Sequence, residues 1–284
     1  MDLRAQRLKA DRLRELHLDP DILVLANVWD VVSARLFEAM GFPVIATSSA
    51  GVAAVLGYPD GQQISLGEMA DSVKRIATSV SVPVTADMEA GYGEDEDSAV
   101  ITVTHTIRAG AVGLNLEDGT RDPARPLIDL DVQIRRIYAA LHAAHDQGVP
   151  IVINARTDAY WKGQGDETAR ITETISRGNA YLEAGADCIF VPGATQPRVI
   201  EFLCREIKGP LNILAVKGTP TIDQLRQLGV KRVSIGSGIA RAALGYARHC
   251  ADELLSKGTY SSIVDVAISG DDVKKLLNRA ARQS

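Results

Sequence analysis

Cysteine is scarce in this chain. Cys188, Cys204 and Cys250 are the three in 284 residues, and none forms a CxxC spacing. Three thiols cannot all pair, so a disulfide framework is excluded and a reducing, cytoplasmic setting is expected. No apolar run reaches the roughly 18 residues that a membrane span needs. The opening MDLRAQRLKADRLRELH is densely charged and lacks the apolar stretch of a secretory signal. Positive charge is not in excess: 31 Lys+Arg stand against 36 Asp+Glu, for a net charge of −5. Nucleic-acid binding needs a basic face, so that partner is excluded too. There is no GxGxxG turn, which argues against a doubly wound dinucleotide fold. No Pro/Gly/Ser-rich linker breaks the chain, so 1–284 is expected to be one domain. Of five histidines, His105, His142, His145 and His249 fall on helical stretches and His17 in the N-terminal segment. None falls at a strand end, which speaks against a histidine-based nucleophile relay and for surface or capping roles.

What is present is a repeating unit. A helix-like stretch ends in Gly, and a short apolar run follows, around Gly41, Gly110, Gly148, Gly185 and Gly229. Glycine takes the left-handed conformation that stops a helix. The apolar runs are continuous rather than alternating, as parallel strands buried on both faces require. Strands are predicted at 23–27, 43–48, 83–88, 112–117, 150–155, 187–191, 211–216 and 231–235. Helices are predicted at 31–40, 65–80, 95–109, 129–147, 167–184, 196–207, 221–228 and 238–255. Eight strand–helix units predict an α/β fold, a (β/α)8 TIM-type barrel. Residues 256–284 add a helical extension that should cover a barrel end or a partner subunit.

In such a barrel, chemistry gathers at the C-terminal strand ends. Strand 3 ends in TADMEAGYG, placing Asp87 and Glu89 two apart on one face of an extended segment. Two carboxylates in one mouth repel each other. A divalent cation resolves that, and oxygen ligands favour Mg2+, with Mn2+ possible; solvated loop carboxylates are the alternative. Strand 4 ends in LNLEDG. Glu117 and Asp118 cannot both point inward, and Glu117 is chosen for the metal side. Strand 5 ends in INARTDAYW, where Arg156 must face an anion, either a substrate or a structural partner such as Glu117 or Asp158. After strand 2, Ser48, Ser49, Ala50 and Gly51 are small and can present backbone N–H groups to an anion, or simply relieve crowding at the rim. Asp60 lies on the loop beyond. Cys188 begins a strand and should pack in the core. Lys217 is a weak anion or Schiff-base candidate. Gly236-Ser237-Gly238 is either a phosphate-binding turn or a tight turn.

The segments SSAGVAA, ADMEAGYG, LNLEDG and NARTDA together resemble the isocitrate lyase / phosphoenolpyruvate mutase superfamily. The resemblance implies a (β/α)8 barrel whose last helix is exchanged between subunits of a dimer or tetramer. It implies a Mg2+ site with Asp87 as principal ligand, and Glu89 and Glu117 holding the ion directly or through water. Ser48, with the backbone of Ser49 and Ala50, matches the pocket for the substrate carboxylate. Asp60 matches a substrate-orienting acid, and Arg156 the arginine that stabilises an enolate oxygen. Two departures bear on the reaction. The KKCGH-type lid of isocitrate and methylisocitrate lyases is replaced by DGTRDPARPLIDLD, without Cys or Lys. Strand 6 ends in FVPGATQP, where lyases of the family place Glu and the mutase His. The expected function is therefore a Mg2+-dependent carbon–carbon lyase or decarboxylase of a small 2-oxo- or 2-hydroxycarboxylate. The alternatives are a phosphonopyruvate-processing enzyme and a non-catalytic 2-oxo acid binder. Tyr92, Asp60, Arg121 and Asp122 are the proton-handling candidates.

Overall fold

The structure, a computed structural model, describes residues 2–278. Eight parallel strands close into a barrel in chain order: β1 (Leu23–Val28), β2 (Ile45–Thr47), β3 (Val84–Asp87), β4 (Gly113–Glu117), β5 (Val152–Arg156), β6 (Cys188–Val191), β7 (Leu211–Leu214) and β8 (Arg232–Ser234). The (β/α)8 expectation is met. The strands are buried on both faces: in β5, Ile153 and Ala155 under the outer helices and Val152 and Asn154 toward the barrel interior are fully inaccessible. Helix stops fall where the sequence placed them, and Gly110 closes its helix at φ 95°, a conformation costly for any residue with a Cβ.

Strand register sets the site. Asp87 lies level with Asn115, Asn115 with Asn154, and Glu117 with Arg156 and then Phe190. Side chains alternate in and out along a strand. Asp87 and Asn115 therefore share one inward layer, and Glu117, Arg156 and Phe190 the layer above it. A hydrogen-bonded row confirms the lower layer: Asn154 Nδ2 donates to Asn115 Oδ1 at 2.7 Å, and Asn115 Nδ2 to Asp87 Oδ1 at 3.1 Å.

The helices are α1 (Leu3–Leu18), α2 (Val31–Ala39), α3 (Ser49–Val55), α4 (Leu66–Ser79), α5 (Glu96–Ala109), α6 (Leu130–Asp146), α7 (Ala159–Lys162), α8 (Glu167–Glu183), α9 (Pro197–Glu206), α10 (Ile222–Gln227), α11 (Gly238–Lys257), α12 (Ser261–Val266) and α13 (Gly270–Asn278). Helix α1 caps the N-terminal end of the barrel. Gln6 Nε2 donates to the Ile107 and Ala111 carbonyls, and Arg14 Nε to Asp187 Oδ1 at 2.7 Å. Leu13 is fully buried. His17, expected at the surface, is instead 1% exposed. Its Nδ1 gives its proton to Leu13 O at 2.7 Å, so Nε2 accepts from Arg232 Nη1 at 3.2 Å inside the barrel. The partners lie 215 residues apart, which a local pattern cannot show.

Helix α11 corrects another expectation. It follows β8 as predicted, yet Glu253 is its one buried residue, so it does not cover the barrel as the other outer helices do. Helix α13 lies against α2, where Arg35 Nη1 donates to Leu276 O at 3.1 Å. No described helix is long and apolar enough to cross a membrane.

Candidate active site

Asp87 ends β3 at the mouth. Its Oδ2 accepts from Ser49 N at 3.1 Å and Ser49 Oγ at 2.7 Å, and its Oδ1 from Asn115. Ser49 can do this because the chain turns directly from β2 into α3. Ser48 caps α3, its Oγ accepting from Gly51 N at 3.2 Å. A Cβ on Gly51 would stand 2.9 Å from Trp29 Cβ, so crowding selects the small residue there.

Glu89 reaches the mouth by another route than the extended segment expected. The chain turns after Asp87, and Glu89 adopts φ 51°. Gln62 (φ 56°) and Tyr92 (φ 57°) share this left-handed conformation, and Tyr92 N donates to Gln62 Oε1 at 2.6 Å. Such backbone costs about 1–3 kcal/mol per residue and clusters at functional sites. Glu89 is 6% exposed, and its Oε1 has no hydrogen-bond partner among the described residues. Burial, then the negative charges of Asp87, Glu117 and Asp60, push its carboxyl up to about 8. The Tyr92 hydroxyl is also buried without a partner, and burial followed by the charges of Glu89 and Asp87 raises it above the ordinary phenol value.

Across the mouth Arg156 is held between two acids. Its Nη1 lies 2.6 Å from Glu117 Oε2, and Nε and Nη2 donate to the fully buried Asp158 at 2.7 and 3.2 Å. Burial alone would lower the guanidinium's pKa, but Glu117 and Asp158 hold it above its ordinary value. Burial raises Glu117 to about 7 against the pull of Arg156. The Arg156 guanidinium also faces the Trp161 and Phe190 rings at 5.6 and 5.7 Å. Asp118 points away, as chosen: it accepts from Asp158 N at 2.8 Å and from Tyr181 Oη at 2.7 Å behind β4. Lys162, Trp161 and Asn115 were missed. Lys162 stands four residues after Asp158 on α7, the one hint being that Asp–Lys spacing.

The remaining candidates are peripheral. Asp60 is exposed and accepts from Gly61 N, while its charge acts on Glu89. Lys217 is exposed. Gly236 N–H donates to Asn27 Oδ1 at 2.9 Å and Gly238 N–H to Ile235 O at 3.2 Å, so the Gly236-Ser237-Gly238 segment forms a tight turn that uses two of its three N–H groups within the protein. Cys188 is buried, as expected. The lid begins with a bridge between Gly119 and Leu127, and Arg121 Nη2 ties it to Gln62 O at 2.7 Å. Among the described residues no three His, Cys, Asp or Glu side chains form a complete metal cage. Mg2+ does not require one, since it keeps water and substrate oxygens beside one or two carboxylates. The unpartnered Glu89 oxygen beside Asp87 fits such an ion.

A closed (β/α)8 barrel with acids and one arginine converging at its C-terminal mouth defines a barrel enzyme. Residues 13–255 match the family described as phosphoenolpyruvate phosphomutase, and the chain belongs to it, within the isocitrate lyase / phosphoenolpyruvate mutase superfamily. The chain is 34% identical to a 2-methylisocitrate lyase of Aeropyrum pernix, over 89% of this chain and 82% of that one. It is 31% identical to an oxaloacetate decarboxylase of Paraburkholderia xenovorans, over 95% and 88%. A crystal structure of a Burkholderia cenocepacia J2315 protein superposes with TM-score 0.90 at 35% identity, covering 97% of each chain. A phosphonopyruvate hydrolase solved with oxalate and Mg2+ superposes with TM-score 0.83 at 26% identity, covering 94% of each.

Proposed function

We infer that the chain is a Mg2+-dependent carbon–carbon lyase or decarboxylase of a small 2-oxo- or 2-hydroxycarboxylate, acting through a pyruvate-like enolate. One observation carries this: a buried carboxylate oxygen of Glu89 with no partner, in an acidic group with Asp87 and Glu117, where Glu117 also grips Arg156. Asp87, Glu89 and Glu117 are the residues that would hold Mg2+, and Mn2+ suits the same oxygens. Bound there, the ion supplies Lewis-acid stabilisation of charge on the substrate's 2-oxo oxygen.

The protein's own residues divide the remaining work. The substrate carboxylate is received beside Asp87 by the Ser48 hydroxyl, which keeps its own proton while accepting from Gly51, and by the backbone of Ala50; the Ser49 N–H and hydroxyl, expected to share in this, are given to Asp87 instead. Arg156, fixed by two acids, places positive charge where the enolate oxygen develops. When the carbon–carbon bond breaks, its electron pair moves to that oxygen. In decarboxylation the departing CO2 needs no general acid, and the enolate then takes a proton at carbon. Of the proton-handling candidates Asp60, Tyr92, Arg121 and Asp122, the three charged ones are exposed, and the Tyr92 hydroxyl is the one buried without a partner. Cleavage of a 2-hydroxy acid also needs a base for the hydroxyl proton. The lid has neither Cys nor Lys to serve, which favours decarboxylation.

A product panel tests this. With Mg2+, oxaloacetate is expected to release pyruvate, and chelation to stop it. Phosphate or phosphoenolpyruvate from phosphonopyruvate would move the chain to the phosphonate alternative; Mg2+-dependent oxalate binding with no product from any substrate would make it a binder. The same reading includes a homo-oligomer that exchanges residues 256–284. The exposed apolar side chains of Leu254, Leu255, Val264 and Ile268 on the C-terminal arm support it.

A further inference from the structure

Arg156 and Lys162 meet at Asp158, while Arg156 also pairs with Glu117. Asp158 is fully buried, and Arg156 already engages both of its oxygens. Lys162 Nζ adds a second cation, 2.6 Å from Asp158 Oδ2, with its side chain 38% exposed. Arg156 divides its donors between Glu117 and Asp158, and Lys162 balances the second acid with donors to spare. An ammonium carries three N–H donors, and Asp158 is its one hydrogen-bond or ion-pair partner among the described residues. The remaining donors lie at the base of the lid. A Cβ on Gly119 would stand 3.1 Å from Lys162 Nζ and 2.5 Å from Asp158 Oδ2, so the lid's first turn rests on this pair.

Apart from the exposed Lys217 beyond β7, the rest of the rim offers little to an anion. Val191, Pro192 and Gly193 after β6 carry no charge, and Trp161 packs against Gly193. Arg121 is turned to Gln62 and Arg125 to Glu94. Lys162 Nζ is one carboxylate removed from Arg156, since Asp158 takes Arg156 Nε on Oδ1 at 2.7 Å and Lys162 Nζ on Oδ2 at 2.6 Å.

We propose that Lys162 is a specificity-determining residue, recognising a second anionic group, carboxylate or phosphonate, at the far end of a 2-oxo acid whose near end lies between Asp87 and Arg156. This rests on the function inferred above. The test is calorimetric binding in Mg2+ to the wild type, Lys162→Met and Lys162→Arg. Three ligands are compared: oxalate, which lacks a distal group; 3,3-difluorooxaloacetate, with a second carboxylate; and phosphonopyruvate. Lys162→Met should weaken one or both of the longer ligands at least about tenfold, as expected for a lost hydrogen bond to a charged group. It should leave oxalate within about twofold, and Lys162→Arg should restore much of the loss. The ligand that suffers identifies the distal group. Equal weakening of oxalate would overturn the proposal, because Lys162 would then act through Asp158 on Arg156; so would no change for any ligand. If the wild type binds none of the three, the inferred function itself fails, and that failure shows without any variant.

Discussion

Acid should weaken this protein in part through one histidine. His17 is buried on the barrel floor, donates Nδ1–H to Leu13 O and accepts from Arg232 through Nε2. A second proton would have to be placed on the nitrogen that already faces a guanidinium. Burial first, and then Arg232, hold its pKa down at about 3. The unfolded chain protonates near 6.5, so between 6.5 and 3 the unfolded state binds a proton that the folded state refuses. Stability is therefore full above 6.5 and falls as the pH drops, by about 1.4 kcal/mol per unit, or about 3 kcal/mol by pH 4.5. His17→Gln keeps an acceptor for Arg232 and removes the titration. Between pH 7 and 4.5 the wild-type Tm should fall roughly 5–10 °C further than that of the variant, given about 2–4 °C per kcal/mol for a chain near this size. The two curves falling in parallel would refute the assignment, since the carboxylates common to both would then explain all of the acid loss.

Three further outcomes are expected. Arg156→Lys should reduce kcat by at least about a hundredfold, because a point charge cannot engage Glu117 and Asp158 together and still face the substrate; steady-state rates alongside a thermal melt will show whether the loss is one of rate or only of folding. Gly119→Ala should destabilise the lid's first turn and lower kcat/KM, since its Cβ would stand 2.5 Å from Asp158 Oδ2; wild-type kinetics would mean that the lid does not rest on Asp158 in solution. Removal of residues 256–284 should lower the oligomeric state in sedimentation, and an unchanged profile would contradict exchange of that segment.

The barrel was legible because its strands are buried on both sides. That makes each strand an unbroken apolar run, and glycines such as Gly110 mark the helix ends. Reading only strand ends then brought out Asp87, Glu117 and Arg156. What stayed hidden depended on contacts across the chain or on backbone twist. The opening segment was read only as densely charged, yet it forms helix α1, whose Gln6, Arg7 and Arg14 satisfy carbonyls at the barrel floor. His17 finds its partner 215 residues away. Glu89 enters the mouth through a left-handed turn rather than by strand alternation. The short α3 and α7 lie inside βα loops, and α7 carries Lys162 to the rim. Helix α11 has the periodicity of an outer helix, and periodicity does not say which barrel, or whether any, it covers.

The central claim is that Asp87 anchors a cation through which a small carboxylate binds. Oxalate titrated by calorimetry into the wild type and Asp87→Ala, each with Mg2+ and with chelator, measures this directly. Binding should be seen in the wild type with Mg2+ and be lost both on chelation and in Asp87→Ala. Oxalate affinity unchanged by either would contradict it.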